Sequence, residues 1–428
     1  MPERKGDWLI PERRRWFIVG VIFIAIVFNY MDRQIVSILK PMLKDEFSIG
    51  DEGYAIIVNV FTVCYTIMYP ISGWLVDKFG ARLVMFYGVI GWSLACIGGG
   101  LSRGVASFSF FRGVLGLAEP TNFPAQLKVV TIWFAGRVRA TANSLCVAGS
   151  SIGAILAPPV VAWLALTFDW HTAFITLGAV GLLIAFLWKW IYRDPPPHIA
   201  EEVARETKDT DQSVFAWGEL WRTRSLWGIL LIRFVSDPVW YFCLFWLPGY
   251  LQEESGLSLA QVGMLGWIPF LTADLGAIGT AAWSDKLVRK GIEPLRARKI
   301  MLSTVAVLAP LCALAPSLPG PAPTLIIFSL VAVACLSWLF TVSVVVAEAF
   351  PVKNVASVLG IAGGFGAFGA VIFNFVIGEF IGTIGADRIF IAMAFMHPIA
   401  VWILWTMVKK ERPPTQVNRV LEINKQNI

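Results

Sequence analysis

The sequence predicts an all-α membrane protein with twelve transmembrane helices in two pseudo-symmetric six-helix bundles. Of its 428 residues, 57% are hydrophobic and 15% are charged, whereas a typical soluble domain carries about 25% charged residues. Apolar runs of roughly 20 residues, the length that crosses a bilayer as a helix, recur along the chain. One long polar linker divides these runs into two sets of six.

The apolar runs define the predicted spans, of which the fourth and eleventh are interrupted by Gly and Pro. Their approximate bounds are 15–39, 53–76, 81–101, 104–133, 139–166, 172–192, 226–252, 259–284, 298–316, 322–349, 354–383 and 387–408. The predicted organisation is a cytoplasmic N-terminal tail (1–14), a first bundle (15–192), a cytoplasmic linker (193–225), a second bundle (226–408) and a cytoplasmic C-terminal tail (409–428).

The distribution of Lys and Arg predicts the orientation. With the amino end in the cytoplasm, 27 of the 35 basic residues fall on the cytoplasmic side, four lie within the spans, and only Lys40, Lys44, Arg103 and Arg388 fall on the other side. This is the bias of the positive-inside rule. The net charge of +6 is therefore an orientation signal, and nucleic acid is not an expected partner. The first apolar run is full length without a small-residue cleavage site, so we expect a retained helix and not a signal peptide.

Cysteine and histidine spacing predicts neither disulfides nor a metal site. The six cysteines stand singly within apolar runs, as small buried hydrophobic residues do. His171, His198 and His397 have no partners at ligand spacing. Since a Ser–His arrangement and a phosphate-cradling loop are also missing, we expect no cofactor and no catalytic residue, which disfavours a membrane-embedded enzyme.

Charges inside the first span are the strongest functional signal. Asp32 and Arg33 interrupt it, and a charge at the bilayer centre costs on the order of 2.5–3.5 kcal/mol even on the lenient insertion scale. Asn29, Asp32 and Arg33 share one helix face. The planar guanidinium of Arg33 suits a carboxylate, and we expect Asp32 to hold this cation when no anion is bound. The alternative is a self-neutralising pair beside a water-filled cleft.

The fourth span carries a second acid and base. Arg112 precedes Glu119 by seven residues, which places both on one face about 10 Å apart along the axis. Pro120 and Pro124 follow and should loosen the helix. A carboxyl balanced between desolvation and nearby cations can take up and release a proton. The alternative for Glu119 is a structural ion pair with Arg112 or Lys128.

The seventh span carries another acid and base, in the second half of the chain. Arg233 and Asp237 stand four residues apart, and Arg233 lies 200 positions after Arg33, as its rough counterpart. The alternative is that this pair only neutralises itself. Asp274 is a lone acid of the eighth span without an assigned role. Further candidates for contacts to a polar substrate are the ring of Trp240 and the amide of Asn374.

The two halves also repeat each other in sequence. Residues 73–82 are answered by residues 284–291, and residues 133–154 by residues 349–370, 216 positions later. Repeated six-span halves are typical of transporters that rock two bundles about a central site. We expect charged residues at the cytoplasmic helix ends to latch one state of such a transporter, namely Asp77, Arg82, Asp285 and Arg289.

Residues 73–82 resemble the signature loop of the major facilitator superfamily. More narrowly, residues 29–33, 118–120, 149–154, 157–159, 233–240 and 269–276 resemble the anion:cation symporter family and its proton-coupled hexuronate transporters. The resemblance extends over all twelve spans. It implies that Asp32 and Glu119 handle protons and that Tyr30 and Tyr65 offer hydroxyls to the substrate.

The predicted function is proton-coupled symport of a sugar-acid anion, a hexuronate such as glucuronate or galacturonate, into the cell by alternating access. The expected setting is a monomer in the inner (plasma) membrane. Protonation of Glu119 and Asp32 would release Arg33, assisted by Arg112 or Arg233, to hold the substrate carboxylate. The alternatives are an aldonate or other organic anion, exchange of a sugar phosphate, and a non-transporting receptor.

Overall fold

The computed structural model describes residues 11–134, 136–199, 201, 203, 215–318 and 320–411. The predicted tails and linker lie partly outside these residues. Regular secondary structure within the described ranges is helical. In chain order the helices are α1 (Pro11–Ile38), α2 (Lys40–Phe47), α3 (Asp51–Phe79), α4 (Ala81–Gly100), α5 (Val105–Ala118), α6 (Asn122–Trp133), α7 (Gly136–Thr167), α8 (Trp170–Ile191), α9 (Trp217–Leu220), α10 (Arg224–Phe245), α11 (Leu247–Glu253), α12 (Leu259–Leu265), α13 (Ile268–Arg289), α14 (Pro294–Val305), α15 (Pro321–Ala349), α16 (Val352–Ile384) and α17 (Ala386–Met407).

Eleven helices of the described residues are long and apolar enough to cross a membrane, which makes the chain a multi-pass membrane protein. The fourth predicted span, 104–133, is instead two helices, α5 and α6, joined by a 3₁₀ turn at Glu119–Thr121. Pro120 explains the break, because proline lacks the N–H of a regular helix and its ring clashes with the preceding turn. The interruption lies at the acid that the sequence singled out.

The chain forms two units. Unit 1 comprises Met1–Asp209 together with Leu257–Trp267, and unit 2 comprises Thr210–Gly256 together with Ile268–Ile428. The first piece of the eighth predicted span, α12, thus belongs to unit 1, where it packs on α7. Gly263 makes this contact possible, since a Cβ there would lie 2.7 Å from the Cβ of Ala162.

Helix pairing inside unit 1 is repeated inside unit 2. The pairs α1–α7, α3–α5 and α4–α8 correspond to α10–α16, α13–α15 and the packing of the 3₁₀ segment Ala306–Ser317 on α17. An equivalent hydrogen bond is present in the third helix pair of each unit. The thiol of Cys96 donates to the carbonyl of Phe174, and that of Cys312 donates to the carbonyl of Phe390, both at 3.3 Å. Cys96 and Cys312 are 216 positions apart, and so are Phe174 and Phe390, which is the offset read from the sequence.

Close backbone approaches fix the register of the first helix of each unit. A Cβ on Gly153 of α7 would collide with the carbonyl oxygen of Val27, and a Cβ on Gly369 of α16 would collide with that of Phe234. Val27 and Phe234 are thus equivalent, 207 positions apart. The same offset takes Arg33 to Trp240. The expected equivalence of Arg33 with Arg233 is therefore wrong, because the offset for the first helices differs from 200.

Candidate functional site

Arg33 and Glu119 form a buried ion pair between α1 and the break after α5. Nη2 and Nε of Arg33 donate to Oε2 of Glu119 at 2.8 Å and 3.2 Å, and the side chains are 6% and 0% exposed. Oε1 of Glu119 accepts no hydrogen bond from the described residues. One carboxylate oxygen therefore carries the whole contact with the guanidinium, and the other can receive a proton without breaking a protein hydrogen bond.

The local sequence explains why Glu119 can reach α1. Gly116 lets α5 lie against α3, since a Cβ there would collide with the carbonyl of Phe61 and lie 3.0 Å from the Cβ of Cys64. One turn later the helix opens into the 3₁₀ turn that Pro120 imposes. Glu119 therefore projects from a tightly packed but irregular point of the bundle.

Three aromatic rings surround the guanidinium of Arg33. Its Cζ lies 4.8 Å from the ring centroid of Tyr65, 5.0 Å from that of Tyr30 and 5.6 Å from that of Phe61. Aromatic faces attract a weakly hydrated, delocalised cation. The structure thus brings Tyr30 and Tyr65 to Arg33. Phe61 was not expected, although its spacing of four residues before Tyr65 places both on one face of α3.

Asp32 does not hold Arg33, so that expectation is wrong. Consecutive residues of a helix point about 100° apart, and Asp32 turns toward α4, where Sγ of Cys96 lies 3.5 Å from its Oδ1 and shares its single proton between this oxygen and the carbonyl of Phe174. Oδ2 has no hydrogen-bond partner among the described residues. Cys96, expected to be an apolar filler, is therefore the protein partner of an intramembrane acid.

Arg112 joins this group through the backbone. Its Nη1 donates to the carbonyl oxygen of Asp32 at 3.3 Å, and its Cζ lies 4.8 Å from the centroid of Phe61. The side chain is buried, and Nε and Nη2 donate to no described protein atom. The expected alternative of a Glu119 pair with Arg112 or Lys128 is wrong, because Glu119 pairs with Arg33. We refer to Asp32, Arg33, Arg112 and Glu119 as the acid–base cluster.

Buried amides accompany the acid–base cluster in unit 1. Asn29 is fully buried, and neither its Oδ1 nor its Nδ2 has a hydrogen-bond partner among the described residues. The same is true of the side chains of Gln34, Asn59 and Asn122. A buried amide without a partner costs free energy, so these four side chains are candidates for polar contacts to a ligand. Only Asn29 was expected from the sequence.

In unit 2 the candidates Arg233, Trp240 and Asn374 each contact another side chain of the same unit. Nε of Arg233 lies 3.0 Å from Oδ2 of Asp237, so the two residues form an ion pair. Gly366 leaves room for the carboxylate of Asp237. Trp240 packs edge-on against Phe270 at 6.1 Å. Further along the unit, Oδ1 of the buried Asn374 accepts a hydrogen bond from Nε1 of Trp246 at 3.0 Å, and Asp274 is half-buried on α13.

The predicted gating acids each have a basic partner within their own unit. Asp77 pairs with Lys128 at 2.9 Å, with side chains 72% and 44% exposed. Asp285 pairs at 2.6 Å with Arg298, which also reaches Glu348 at 3.2 Å. Arg82 and Arg289 are exposed. Arg298 was not expected, although it lies 216 positions after Arg82, so the repeat would have found it.

The remaining ionisable candidates lie apart from the acid–base cluster. In the described ranges no group of three or more His, Cys, Asp and Glu side chains could hold a metal ion. Nδ1 of His171 is 2.7 Å from the carbonyl oxygen of Gly100. His397 is fully buried and meets the ring of Trp338 edge-on at 5.5 Å. Neither histidine contributes to the cluster.

Residues 22–296 match the sequence pattern of the Major Facilitator Superfamily. The chain belongs to the Major Facilitator Superfamily. It is a transporter of that superfamily, and the fold that the sequence predicts for it is confirmed.

The solved structures agree in fold. A bacterial homologue of the human lysosomal transporter Spinster, inward-facing and occupied, superimposes with a TM-score of 0.75 at 15% identity, covering 91% of this chain and 96% of that one. The inward-open xylose transporter XylE of E. coli gives 0.73 at 14% identity, covering 93% and 97%.

Curated relatives confirm the resemblance to the anion:cation symporters and their hexuronate transporters. The galacturonate transporter of Dickeya chrysanthemi is 32% identical over 275 residues, 62% of this chain and 79% of that protein. The hexuronate transporter of Escherichia coli K12 is 27% identical over 414 residues, 93% of this chain and 94% of that protein. The D-galactonate transporter of Escherichia coli O6:H1 is 29% identical over 309 residues, 68% and 71% of the two chains.

Proposed function

We propose that the chain is a proton-coupled symporter that carries a hexuronate, such as glucuronate or galacturonate, into the cell by alternating access. In this proposal it works as a monomer in the inner membrane, with both termini in the cytoplasm. The observation that carries the proposal is the buried contact of Arg33 with a single oxygen of Glu119. The names of the similar galacturonate and hexuronate transporters support the substrate class.

Charge balance links the proton to the anion. An ion buried without a partner in a low-dielectric interior costs several kcal/mol, so Arg33 needs a negative partner at every stage. Protonation of Glu119 removes its charge and releases the donors of Arg33. A substrate carboxylate then takes the place of Oε2, and the planar fork of the guanidinium suits it. Loss of the proton to the cytoplasm restores the Arg33–Glu119 pair and expels the substrate.

The neighbouring groups have supporting roles in this proposal. Asp32 is a second proton-binding group, because its Oδ2 has no protein partner among the described residues. Arg112, whose Nε and Nη2 donate to no protein atom among the described residues, assists in holding the anion. Sugar hydroxyls meet Asn29, Tyr30 and Tyr65. In unit 2 the substrate-contacting residues are Arg233, Trp240 and Asn374, and the gating residues of the two units are Asp77, Arg82, Asp285 and Arg289.

Glu119→Gln in proteoliposomes tests the proposal. Wild-type protein should accumulate labelled galacturonate or glucuronate when the outside is acidic, and the variant should lose this accumulation while it retains substrate counterflow, because glutamine cannot release a proton. Glu379→Gln, which removes an exposed acid of α16, is the matched control and should behave as wild type. Accumulation by Glu119→Gln, or loss of counterflow in a folded variant, would overturn the role of Glu119.

The same vesicles separate the rival functions. Uptake that ignores the proton gradient and requires phosphate inside would indicate sugar-phosphate exchange, as would a preference for phosphorylated sugars. Uptake of an aldonate in place of hexuronates would keep the mechanism and change the substrate. Substrate-dependent thermal stabilisation without flux in either assay would indicate a receptor.

A further inference from the structure

An exposed group of tryptophans and cations stands at the beginning of α10. Trp217, Trp221 and Trp227 are 60%, 37% and 42% exposed. Nε1 of Trp227 donates to the carbonyl of Trp221 at 2.9 Å, and the two rings lie 5.6 Å apart. Because Trp227 lies in the first turn of a membrane-spanning helix, these rings stand at the level where a bilayer meets water, the usual depth of tryptophan.

Four exposed cations flank these rings. Arg222 and Arg224 alternate with them in sequence, and Lys409 and Lys410 come from the end of α17. The hydroxyl of Ser225 joins the two chain segments, since it accepts from the backbone N–H of Lys409 at 3.0 Å and donates to Oε1 of Glu411 at 2.6 Å. We call Trp217, Trp221, Arg222, Arg224, Trp227, Lys409 and Lys410 the Trp/Arg patch.

Contacts to the rest of unit 2 hold the patch in place. The side chain of Asn354 makes two hydrogen bonds to the backbone of Phe215, accepting from its N–H at 2.8 Å and donating to its carbonyl at 3.1 Å. The N–H of Glu411 donates to the carbonyl of Ala349 at 2.8 Å. The nearest acids are engaged locally: Glu219 accepts from the N–H of Ala216, and Glu411 from Ser225. These contacts fix the backbone of the two chain segments that carry the exposed cations.

We propose that the Trp/Arg patch binds the head groups of anionic phospholipids, in the inner leaflet under the orientation proposed above. Indole rings insert beside the glycerol region, while guanidinium and ammonium groups meet the phosphates. Arginine forms paired hydrogen bonds to phosphate oxygens, and basic residues next to a membrane attract anionic lipid. The inference does not depend on the substrate or on proton coupling.

Native mass spectrometry of the delipidated full chain, titrated with phosphatidylglycerol or phosphatidylcholine, tests this site. Wild-type protein should retain phosphatidylglycerol preferentially. Arg222→Gln with Arg224→Gln should weaken that retention roughly 25-fold, because each basic residue contributes about a factor of five. Lys290→Gln with Arg296→Gln removes two exposed cations of the same unit outside the patch and should leave retention unchanged.

A second measurement keeps the inference falsifiable if the arginine variant is unstable. In nanodiscs, brominated phosphatidylglycerol should quench more fluorescence of the wild type than of Trp227→Phe, and brominated phosphatidylcholine should show a smaller difference. Equal retention of both lipids by the wild type, equal loss in both charge variants, or displacement of phosphatidylglycerol by inorganic phosphate would each overturn the assignment to a lipid.

Discussion

Arg33 reaches Glu119 with two N–H groups, and both groups meet the same oxygen, Oε2. The second oxygen of the carboxylate has no protein partner among the described residues. The opposite charges of the pair therefore balance, but one oxygen of the Glu119 carboxylate still lacks a hydrogen bond from the described residues. This asymmetry suits an ion pair that opens and closes, because a proton can arrive at Oε1 while the guanidinium still occupies Oε2.

The first prediction concerns the stability of this pair. Glu119→Gln removes the carboxylate from the buried pair with Arg33, and breaking a buried pair costs about 3–5 kcal/mol. Arg33→Gln should destabilise similarly by leaving Glu119 uncompensated. The double variant should lose much less than the sum, since no net buried charge remains. Denaturation of the detergent-solubilised protein measures all three, and strictly additive losses would mean that the two side chains do not interact.

The second prediction separates the shape of Arg33 from its charge. Arg33→Lys keeps the positive charge but removes the planar fork and the delocalised face that meets Tyr30 and Tyr65. Since lysine does not replace arginine at bidentate or stacked sites, we expect substrate affinity to fall at least about tenfold. Substrate-dependent thermal shift measures this, with Arg103→Lys, at an exposed position, as the control. Wild-type affinity of Arg33→Lys would assign the residue a purely electrostatic role.

Much of the fold follows from the sequence, because the length of each apolar run and the repeated motifs can be read directly from neighbouring residues. The spans required only apolar runs. The offset of 216 positions read from residues 133–154 and 349–370 also separates Cys96 from Cys312, but their matched hydrogen bonds were not predicted. The fourth span was harder, since its proline marked a weak point but did not reveal that the helix would divide at Glu119.

The partners within the candidate site could not be read from spacing. Helical periodicity placed Asp32 and Arg33 near one face, but the direction of each side chain depends on the helix packed against it. Asp32 met Cys96 of α4, and Arg33 met Glu119 across the bundle. Likewise the counterpart of Arg33 depended on which backbone carbonyls pack against Gly153 and Gly369, so only three-dimensional packing identified Trp240.

The third prediction concerns those glycine contacts. Gly153→Ala would drive a methyl group into the carbonyl of Val27, and Gly369→Ala would do the same at Phe234. Overpacking of this kind costs about 1–3 kcal/mol. Gly20→Ala and Gly360→Ala are matched helical controls, because nothing lies within 4 Å of a Cβ at either position. Thermal unfolding in detergent should separate the two pairs, and equal melting temperatures would refute the proposed tight packing.

The last prediction tests whether Asp77 gates transport or only pairs with Lys128. Their side chains are 72% and 44% exposed, and an exposed ion pair contributes no more than about 1 kcal/mol to stability. Asp77→Asn should therefore leave the melting temperature nearly unchanged. If the carboxylate latches one transport state, the uptake rate should nevertheless fall at least about fivefold, while Lys128→Gln has a smaller effect. The charge swap Asp77→Lys with Lys128→Asp restores the pair but not the position of the acid. Full uptake by the swapped variant would assign the activity to the pair itself, and wild-type uptake by Asp77→Asn would remove Asp77 from the gating residues.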